Sequence, residues 1–529
     1  MQSSTTILQT VLSILALGIL CAARAAGQCG ELEMLLGSGG SASDEEGVDV
    51  DIDGDVAVVG SFVDDPNGND SGSAYVYRYD KASATWVEEQ KLTAGALGSG
   101  GDYFGRGVCV SGDVIAIGAP LDDDDANPAI TDKGSVYVFR YDPGQKMWLL
   151  DGNKKLTASN GNAGDQFGFS VDLGGDLLAI GARLDDDCAA DSGSVYVFRY
   201  AGSFLGWLNE TQLQGSGCSG GDELGLDVAV RRDDAEGDRV VAGSYLDDPK
   251  GTNSGSVSVF RRDPVTKQWS EEQRLIESGG AGFDQFGVSV ALDECLLIGA
   301  YGDDNQTFVD AGAAHVFEYD AGAGQWTQRD LLLPSAPSQS ELFGRSVGVC
   351  GEVIVVGAYL DDLTFSNTGS ASVFRRCGTS WVLDDILAPK TRGNDDYFGF
   401  SVAVSGNRAL CGAYLDNTSK GTDSGAAYVF GASEIELSMT PASVMPGAAI
   451  EVSMFYGKVG EPVLFIAASL NGTPIFHPLF LATFGADHTL TFSANAPSSL
   501  SGTTVGFQAY EVEACGGITG SNVVLVGFQ

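Results

Sequence analysis

"GDQFGFSVDLGGDLLAIGA", residues 164–182, returns with variation as "DDYFGFSVAVSGNRALCGA", residues 395–413. Both run from Phe-Gly through a short alternating segment and a polar turn to an apolar run ending in Gly-Ala. Such self-similarity has to be settled first, because a repeat is one supersecondary unit that cannot bury its own faces. Aligned on the glycine of Phe-Gly, intact copies stand at Gly105, Gly168, Gly287, Gly344 and Gly399, with Glu46-Gly47 and Leu224-Gly225 as degenerate versions. The spacings are 58, 63, 57, 62, 57 and 55 residues, so seven units fill residues 47–430.

Each unit carries four strand signals. After the first alternating run comes "LLAIGA", then an Asp-rich loop, then "SVYVFRY", then a Trp-containing run such as "WVEEQKLTA" at 86–94. The second and third runs are almost continuously apolar, as expected of strands covered on both faces. The fourth is more polar, as an outer edge strand should be. Four-stranded sheets packed face to face around an axis make a propeller, so an all-β, seven-bladed β-propeller is expected over 29–431. The last unit ends at "SGAAYVFG", 424–431, without a fourth strand, while "ELEMLLGSGG", 31–40, resembles a fourth strand without a blade before it. Segment 31–40 is therefore expected to close the last blade.

Composition sets further bounds. Glycine is 73 of 529 residues, and 71 acidic against 29 basic residues give a net charge of −42. So negative a surface repels phosphate backbones and argues against nucleic acid as a partner. An apolar run from Ile7 to Leu20 followed by "CAARAAGQ" reads as a signal peptide over 1–26, and hence as export to the cell surface or medium. No later run is long and apolar enough to predict a transmembrane segment. Cys21 falls in the removed segment. Of the other cysteines, Cys188 with Cys218 and Cys350 with Cys377 are candidate bridges, each pair lying within one repeat. Residues 433–529 show alternating strands separated by Pro, Gly, Asn and Ser, which suggests a small immunoglobulin-like β-sandwich.

The repeat text resembles the FG-GAP repeat of integrin α-subunit propellers and their bacterial relatives. Phe-Gly at 104–105 with "GAP" at 118–120, and Phe-Gly at 167–168 with Gly-Ala at 181–182, carry the likeness. The resemblance implies a propeller that binds a protein or glycan ligand at the cell surface, often with Ca²⁺ in some blades. That family's metal loop, Asp-x-Asp/Asn-x-Asp-Gly-x-x-Asp between the first two strands, is replaced here by short turns such as "VSGD" at 110–113. Its nearest approach, "DVDIDGDVAVVG" at 49–60, also reads as a strand entering an Asp-Gly hairpin.

A different acidic pattern recurs more faithfully. The loop between strands two and three opens with paired acids, including Asp122-Asp123, Asp185-Asp186 and Asp303-Asp304, and closes with residues such as Asp132, Asp191 and Asp310. Strand direction places these loops on one face with the loops preceding Phe-Gly. Two readings stand: Asx-type caps on the loop backbone, or clustered carboxylates that coordinate Ca²⁺ through oxygen or hold a cationic ligand.

A ligand site is better sought where blades differ. After Phe-Gly-x most blades carry a small residue, but Asp49 and Asp227 are acids, and Arg106 and Arg345 replace apolar residues at x. These four are the candidate ligand-binding residues, lining the axis. The chain has 3 histidines, and His315 alone falls in the repeats, inside a strand. No constellation satisfies the requirements of a catalytic site. The expectation is a non-enzymatic, exported binding or adhesion protein. The alternatives are a glycan hydrolase or lyase using axial carboxylates, and a purely structural surface protein. The sequence leaves the oligomeric state unknown.

Overall fold

The structure is a computed structural model that describes residues 31–431, apart from 125–126, 128, 154, 305–307 and 364, and after them strand backbones between 436 and 528. The signal-peptide reading, 1–26, lies outside the described residues.

Residues 31–431 form seven four-stranded antiparallel sheets. Blade 1 is Val50–Asp53, Val56–Ser61, Ser73–Asp80 and Thr85–Leu92, and each later blade repeats this order from the axis outward. Blade 7 takes its outer strand from the other end of the repeat array: Glu31–Leu35 pairs antiparallel with Ala426–Gly431. The second strands of blades 1 to 6, such as Leu177–Ala182, are buried at every position, and that of blade 7 at all but its first residue, Arg408. Outer strands such as Thr85–Leu92 and Trp207–Leu213 keep one buried tryptophan and one buried leucine among exposed and half-exposed residues. Trp148 is 1 % exposed, and its indole N–H donates to Glu89 of the preceding blade at 2.9 Å.

The Phe-Gly motif is the joint between blades. Phe104, Phe167, Phe286, Phe343 and Phe398 are buried. Each forms a parallel bridge to the glycine that precedes the third strand of the blade before it, as Phe104 does to Gly72. Leu224 bridges Gly193 in the same way, and Glu46 bridges Gly425 across the closure. The two degenerate units thus make the same joint as the intact ones. The glycine of Gly-Ala or Gly-Ser in each blade lies against the Phe-Gly carbonyl of the next, as Gly60 does against Gly105 and Gly412 against Gly47.

One expected bridge is absent. Cys188 and Cys218 are disulfide-bonded, but Cys350 is a free thiol while Cys377 is disulfide-bonded, so these two are not paired. Cys350 ends the innermost strand of blade 6 and Cys377 the third, with Val353–Ala358 between them. Two strand spacings are about 9.6 Å, beyond the roughly 7 Å a disulfide spans.

The C-terminal unit is also β. Its strands form one sheet in the order Glu436–Thr440, Ala449–Phe455, Thr489–Asn495, and a second sheet centred on Pro462–Leu470 and Thr504–Val512. No helix among the described residues is long and apolar enough to cross a membrane.

Candidate functional site

The innermost strands enclose an axial cavity of about 500 Å³. All four axial candidates, Asp49, Arg106, Asp227 and Arg345, line it. An innermost strand leaves backbone N–H groups unpaired on its channel side, and such groups need acceptors when buried. The channel side chains supply them, each to the next blade. Asp49 accepts from Val108 at 2.8 Å, Asp51 from Val110 at 2.7 Å and Asp53 from Gly112 at 2.7 Å. Asp172 accepts from Val230 at 2.6 Å and Asp227 from Val290 at 2.8 Å. Where the blade carries serine the hydroxyl does the same, Ser289 for Val347 at 3.2 Å and Ser401 for Val50 at 3.1 Å.

The remaining oxygens are also committed. Asp49 Oδ1 accepts from the Ser401 hydroxyl at 3.1 Å, and Asp227 Oδ1 from the Val228 N–H at 3.0 Å. Burial pushes Asp49 up to about 6, against the opposing pull of the Val108 N–H and Arg106. It pushes Asp51 up to about 7, and Asp172, which faces the Asp51 charge, well above the usual carboxylate range. Asp49 and Asp227 are therefore clasps between blades.

The arginines do something different. They stand at the channel mouth, where the residue after Phe-Gly and the residue after Gly-Ala or Gly-Ser come together. The Arg106 guanidinium lies 4.2 Å from the centre of the Phe169 ring, and Arg183 stacks on the same ring at 4.1 Å. Arg345 lies 4.3 Å over Phe400. Burial, then repulsion from Arg345, lowers Arg106 to about 10, which leaves it cationic at neutral pH. Tyr414 meets Phe400 at 4.5 Å, Tyr359 meets Phe400 at 5.4 Å and Tyr397 at 5.5 Å, and Phe62 meets Tyr103 at 5.1 Å. All of these side chains are half-buried. In a chain of net charge −42, the mouth gathers three arginines and a set of ring faces. Arg183 and the aromatic rings escaped the sequence reading. Their signal is the position after Gly-Ala or Gly-Ser, which reads Phe62, Pro120, Arg183, Tyr245, Tyr301, Tyr359 and Tyr414 around the ring.

The loop acids have their own roles. The second of each pair accepts the backbone N–H of the closing residue: Asp123 from Asp132 at 3.1 Å, Asp186 from Asp191 at 2.7 Å and Asp304 from Asp310 at 3.0 Å. The closing residues Asp132, Asp191 and Asp310 have φ of 53°, 52° and 52°. Asp and Asn tolerate that region better than most residues, which explains their alternation there. The first of each pair turns inward. Asp122 takes the Ser135 and Tyr137 hydroxyls and the Lys155 ammonium at 2.7 Å, and Asp185 takes the Tyr196 hydroxyl at 2.7 Å. Among the described residues, the one group of three His, Cys, Asp or Glu side chains with ligand atoms within 4.8 Å of one another is Glu277, Asp303 and His315.

Lys155 and Asp122 are nearly enclosed, with side-chain exposures of 10 % and 4 %. Lys155→Met should therefore lower stability by about 3 kcal/mol, since removing one partner strands the other charge. Urea unfolding checks this, and a midpoint equal to wild type would show that the pair is not buried in solution.

The sequence model of the FG-GAP repeat matches residues 30–77, 86–139, 152–198, 207–260, 269–317, 326–374 and 381–430. The chain belongs to the FG-GAP repeat family. The seven matched segments correspond to the seven blades, so this FG-GAP chain is a complete ring of repeats. No curated protein sequence matches it. Among solved structures, Sqt1 of Saccharomyces cerevisiae is similar at 10 % identity and a TM-score of 0.40, covering 89 % of this chain and 100 % of that one. The periplasmic gluconolactonase PpgL of Pseudomonas aeruginosa is similar at 15 % identity and a TM-score of 0.38, covering 63 % and 81 %.

Proposed function

We propose that this FG-GAP chain is an exported binding or adhesion protein that takes an anionic glycan, or an acidic protein segment, at the channel mouth. The observation that carries the reading is the cluster of Arg106, Arg183 and Arg345 stacked on Phe169 and Phe400. Guanidinium groups recognise carboxylate and sulfate in a bidentate manner. The neighbouring tyrosine and phenylalanine faces offer apolar platforms for sugar rings. Elsewhere the acidic surface repels such a ligand, which concentrates recognition at the mouth.

The axial-carboxylate hydrolase or lyase is less well supported, because Asp49 and Asp227 already accept hydrogen bonds on both oxygens. Ca²⁺ assistance is not required by this reading, since Asp123, Asp186 and Asp304 cap their own loops. The C-terminal strands, read as an immunoglobulin-like sandwich, serve in this proposal as a spacer or anchor.

A panel of immobilised glycans, with and without uronate or sulfate groups, tests it. The wild-type chain should bind anionic members in a salt-sensitive way. The double variant Arg106→Ala, Arg345→Ala should bind at least about tenfold more weakly while melting as a folded protein. Equal binding by the variant, or no preference for anionic members, would overturn the reading.

A further inference from the structure

Blade 5 departs from the pattern that blades 1, 2 and 4 keep around the first aspartate of the loop between strands two and three. In blade 1 Asp64 accepts from the Ser73 hydroxyl and pairs with Lys91. In blade 2 Asp122 has Ser135, Tyr137 and Lys155. In blade 4 Asp247 has Ser256 and Arg274. The corresponding residue of blade 5 is Asp303, and strand register shows what has changed around it. Ala313 stands where blade 1 has Ser73, His315 where it has Tyr75, and Leu331 where it has Lys91. Both the hydroxyl and the cation are gone.

An acid has arrived instead. Glu277 lies two residues after the buried leucine of an outer strand, where blades 1, 2 and 3 have Ala94, Ala158 and Gly215. Its Oε1 is 3.9 Å from His315 Nε2, and Asp303 Oδ2 is 3.8 Å from the same nitrogen. His315 is 1 % exposed, and neither its Nε2 nor Glu277 Oε2 has a hydrogen-bond partner. Among the described residues, His315 Nε2 is the one basic nitrogen within 4.0 Å of either carboxylate, and burial, which lowers the ring to about 4, leaves it neutral. Buried polar atoms without partners are uncommon and costly, and these two, His315 Nε2 and Glu277 Oε2, lie beside the Asp303 carboxylate, an arrangement that a bound cation would satisfy.

We propose that Glu277, Asp303 and His315 bind a divalent transition-metal ion of the zinc class in blade 5. One imidazole and two carboxylates are a donor set for Zn²⁺ with a fourth position open. An imidazole ligand disfavours Ca²⁺ and Mg²⁺, which take oxygen. Tetrahedral ligands at about 2.0 Å stand about 3.3 Å apart, so the His315–carboxylate distances of 3.9 and 3.8 Å need to contract by about half an ångström, and the two carboxylates, within 4.8 Å of each other, close in with them. The other imidazole nitrogen, Nδ1, is 3.0 Å from the Gln328 side-chain amide. Gln328 Nε2 is the atom facing Nδ1 here, and a flip of this amide on metal binding lets its oxygen accept the Nδ1 proton and leaves the lone pair of the ring Nε2 facing the carboxylates, the usual support for a ligating histidine. Phe286 holds the ring edge-to-face at 5.2 Å. The ion supplies the positive charge that Lys91, Lys155 and Arg274 supply in blades 1, 2 and 4.

The test uses the full-length chain, stripped with a chelator and titrated with Zn²⁺ against a chromophoric competitor. The wild type should take up one ion per chain with a dissociation constant below about 10 μM. His315→Tyr restores the residue of blades 1, 2, 3 and 7, so it should fold normally and bind at least about tenfold more weakly. Asp303→Asn is the second variant and should lose binding to the same extent. Co²⁺ in place of Zn²⁺ should give a visible absorption band in the wild type that both variants lack. The proposal is overturned by no uptake in the folded wild type, by equal affinity in both variants, or by displacement of the ion by equimolar Ca²⁺.

Discussion

Heated at pH 5, the protein should melt roughly 5 °C higher than it does at pH 8. The cause is a set of carboxyl groups that burial makes reluctant to ionise. Glu46, which occupies the phenylalanine position at the closing joint, is pushed up to about 8 by burial, against the opposing Gly37 N–H bonds and the Tyr77 hydroxyl. Asp51 is pushed up to about 7 and Asp49 to about 6, with Asp172 raised beside them. In the unfolded chain these groups titrate near 4. Between pH 4 and 8 the folded state thus holds protons that the unfolded state has released, so stability falls as pH rises through this window. The opposite sign governs the acid side. Asp238 is held below its usual value by Arg199 and Arg232, and Glu210 by Arg199 and Arg262, despite their burial. Their contribution is complete above the unfolded values and is lost as pH falls through the folded ones. The two limbs leave a maximum near pH 5. Thermal melts from pH 3 to pH 9 check it, and Glu46→Gln should flatten the limb above pH 7. A midpoint that climbs steadily to pH 8 would show that these carboxyls are hydrated in solution.

The ring was legible in the sequence because the same joint is written at every blade boundary. Phe-Gly marks where one blade meets the last, and Gly-Ala marks the glycine that the next blade presses against, so the spacing from one Phe-Gly to the next measures a blade. The position of Glu46 was legible as a degenerate repeat, but its chemistry was not. A buried acid in a phenylalanine slot makes sense only once Tyr77 and the Gly37 N–H are seen to meet it. Cys350 and Cys377 misled because sequence shows that two cysteines share a blade and hides the strand between them.

The site was legible in part, and the division follows from what one aligned column can show. Arg106 and Arg345 stand out within their own column and do reach the channel mouth. Arg183 and the tyrosines lie in a second column, and only the folded ring shows that both columns open onto one rim. Asp49 and Asp227 stood out as well, yet one oxygen of each accepts a backbone N–H of the next blade, a long-range relation within the chain that no local pattern records. His315 looked like a packed strand residue and is one, at 1 % exposure. What distinguishes it is the loss of serine and lysine from two adjacent strands, which becomes visible through strand register.

Gly118→Ala should abolish the soluble folded protein or cost more than about 4 kcal/mol, far more than an ordinary glycine-to-alanine change. A Cβ at this position would stand 1.8 Å from the carbonyl oxygen of Gly168 and 2.8 Å from its carbonyl carbon. The obstacle is backbone, which cannot swing aside as a long side chain can. Nor is either partner free to retreat. The Gly118 carbonyl accepts the Gly105 N–H at 3.0 Å within its own blade, and the Phe167 N–H donates to Lys133 at 3.0 Å across the joint. Gly134, opposite Phe167, is equally tight, since its own Cβ would lie 2.1 Å from the Phe167 oxygen. Separating the strands enough to admit a methyl group would therefore open the whole joint between blades 2 and 3, and in a closed ring one opened joint loosens the closure at Glu46 and Gly425 as well. Gly112→Ala is the control. Gly112 has a positive φ, at +58°, which Gly118 lacks, and a Cβ there meets nothing within 4 Å. It should cost about 1 kcal/mol from backbone strain alone. Urea unfolding of the two variants side by side separates contact from strain. If Gly118→Ala unfolded within about 1 kcal/mol of Gly112→Ala, the blades would have to be held by their side chains rather than by glycine against carbonyl, and the Gly-Ala motif would need another explanation.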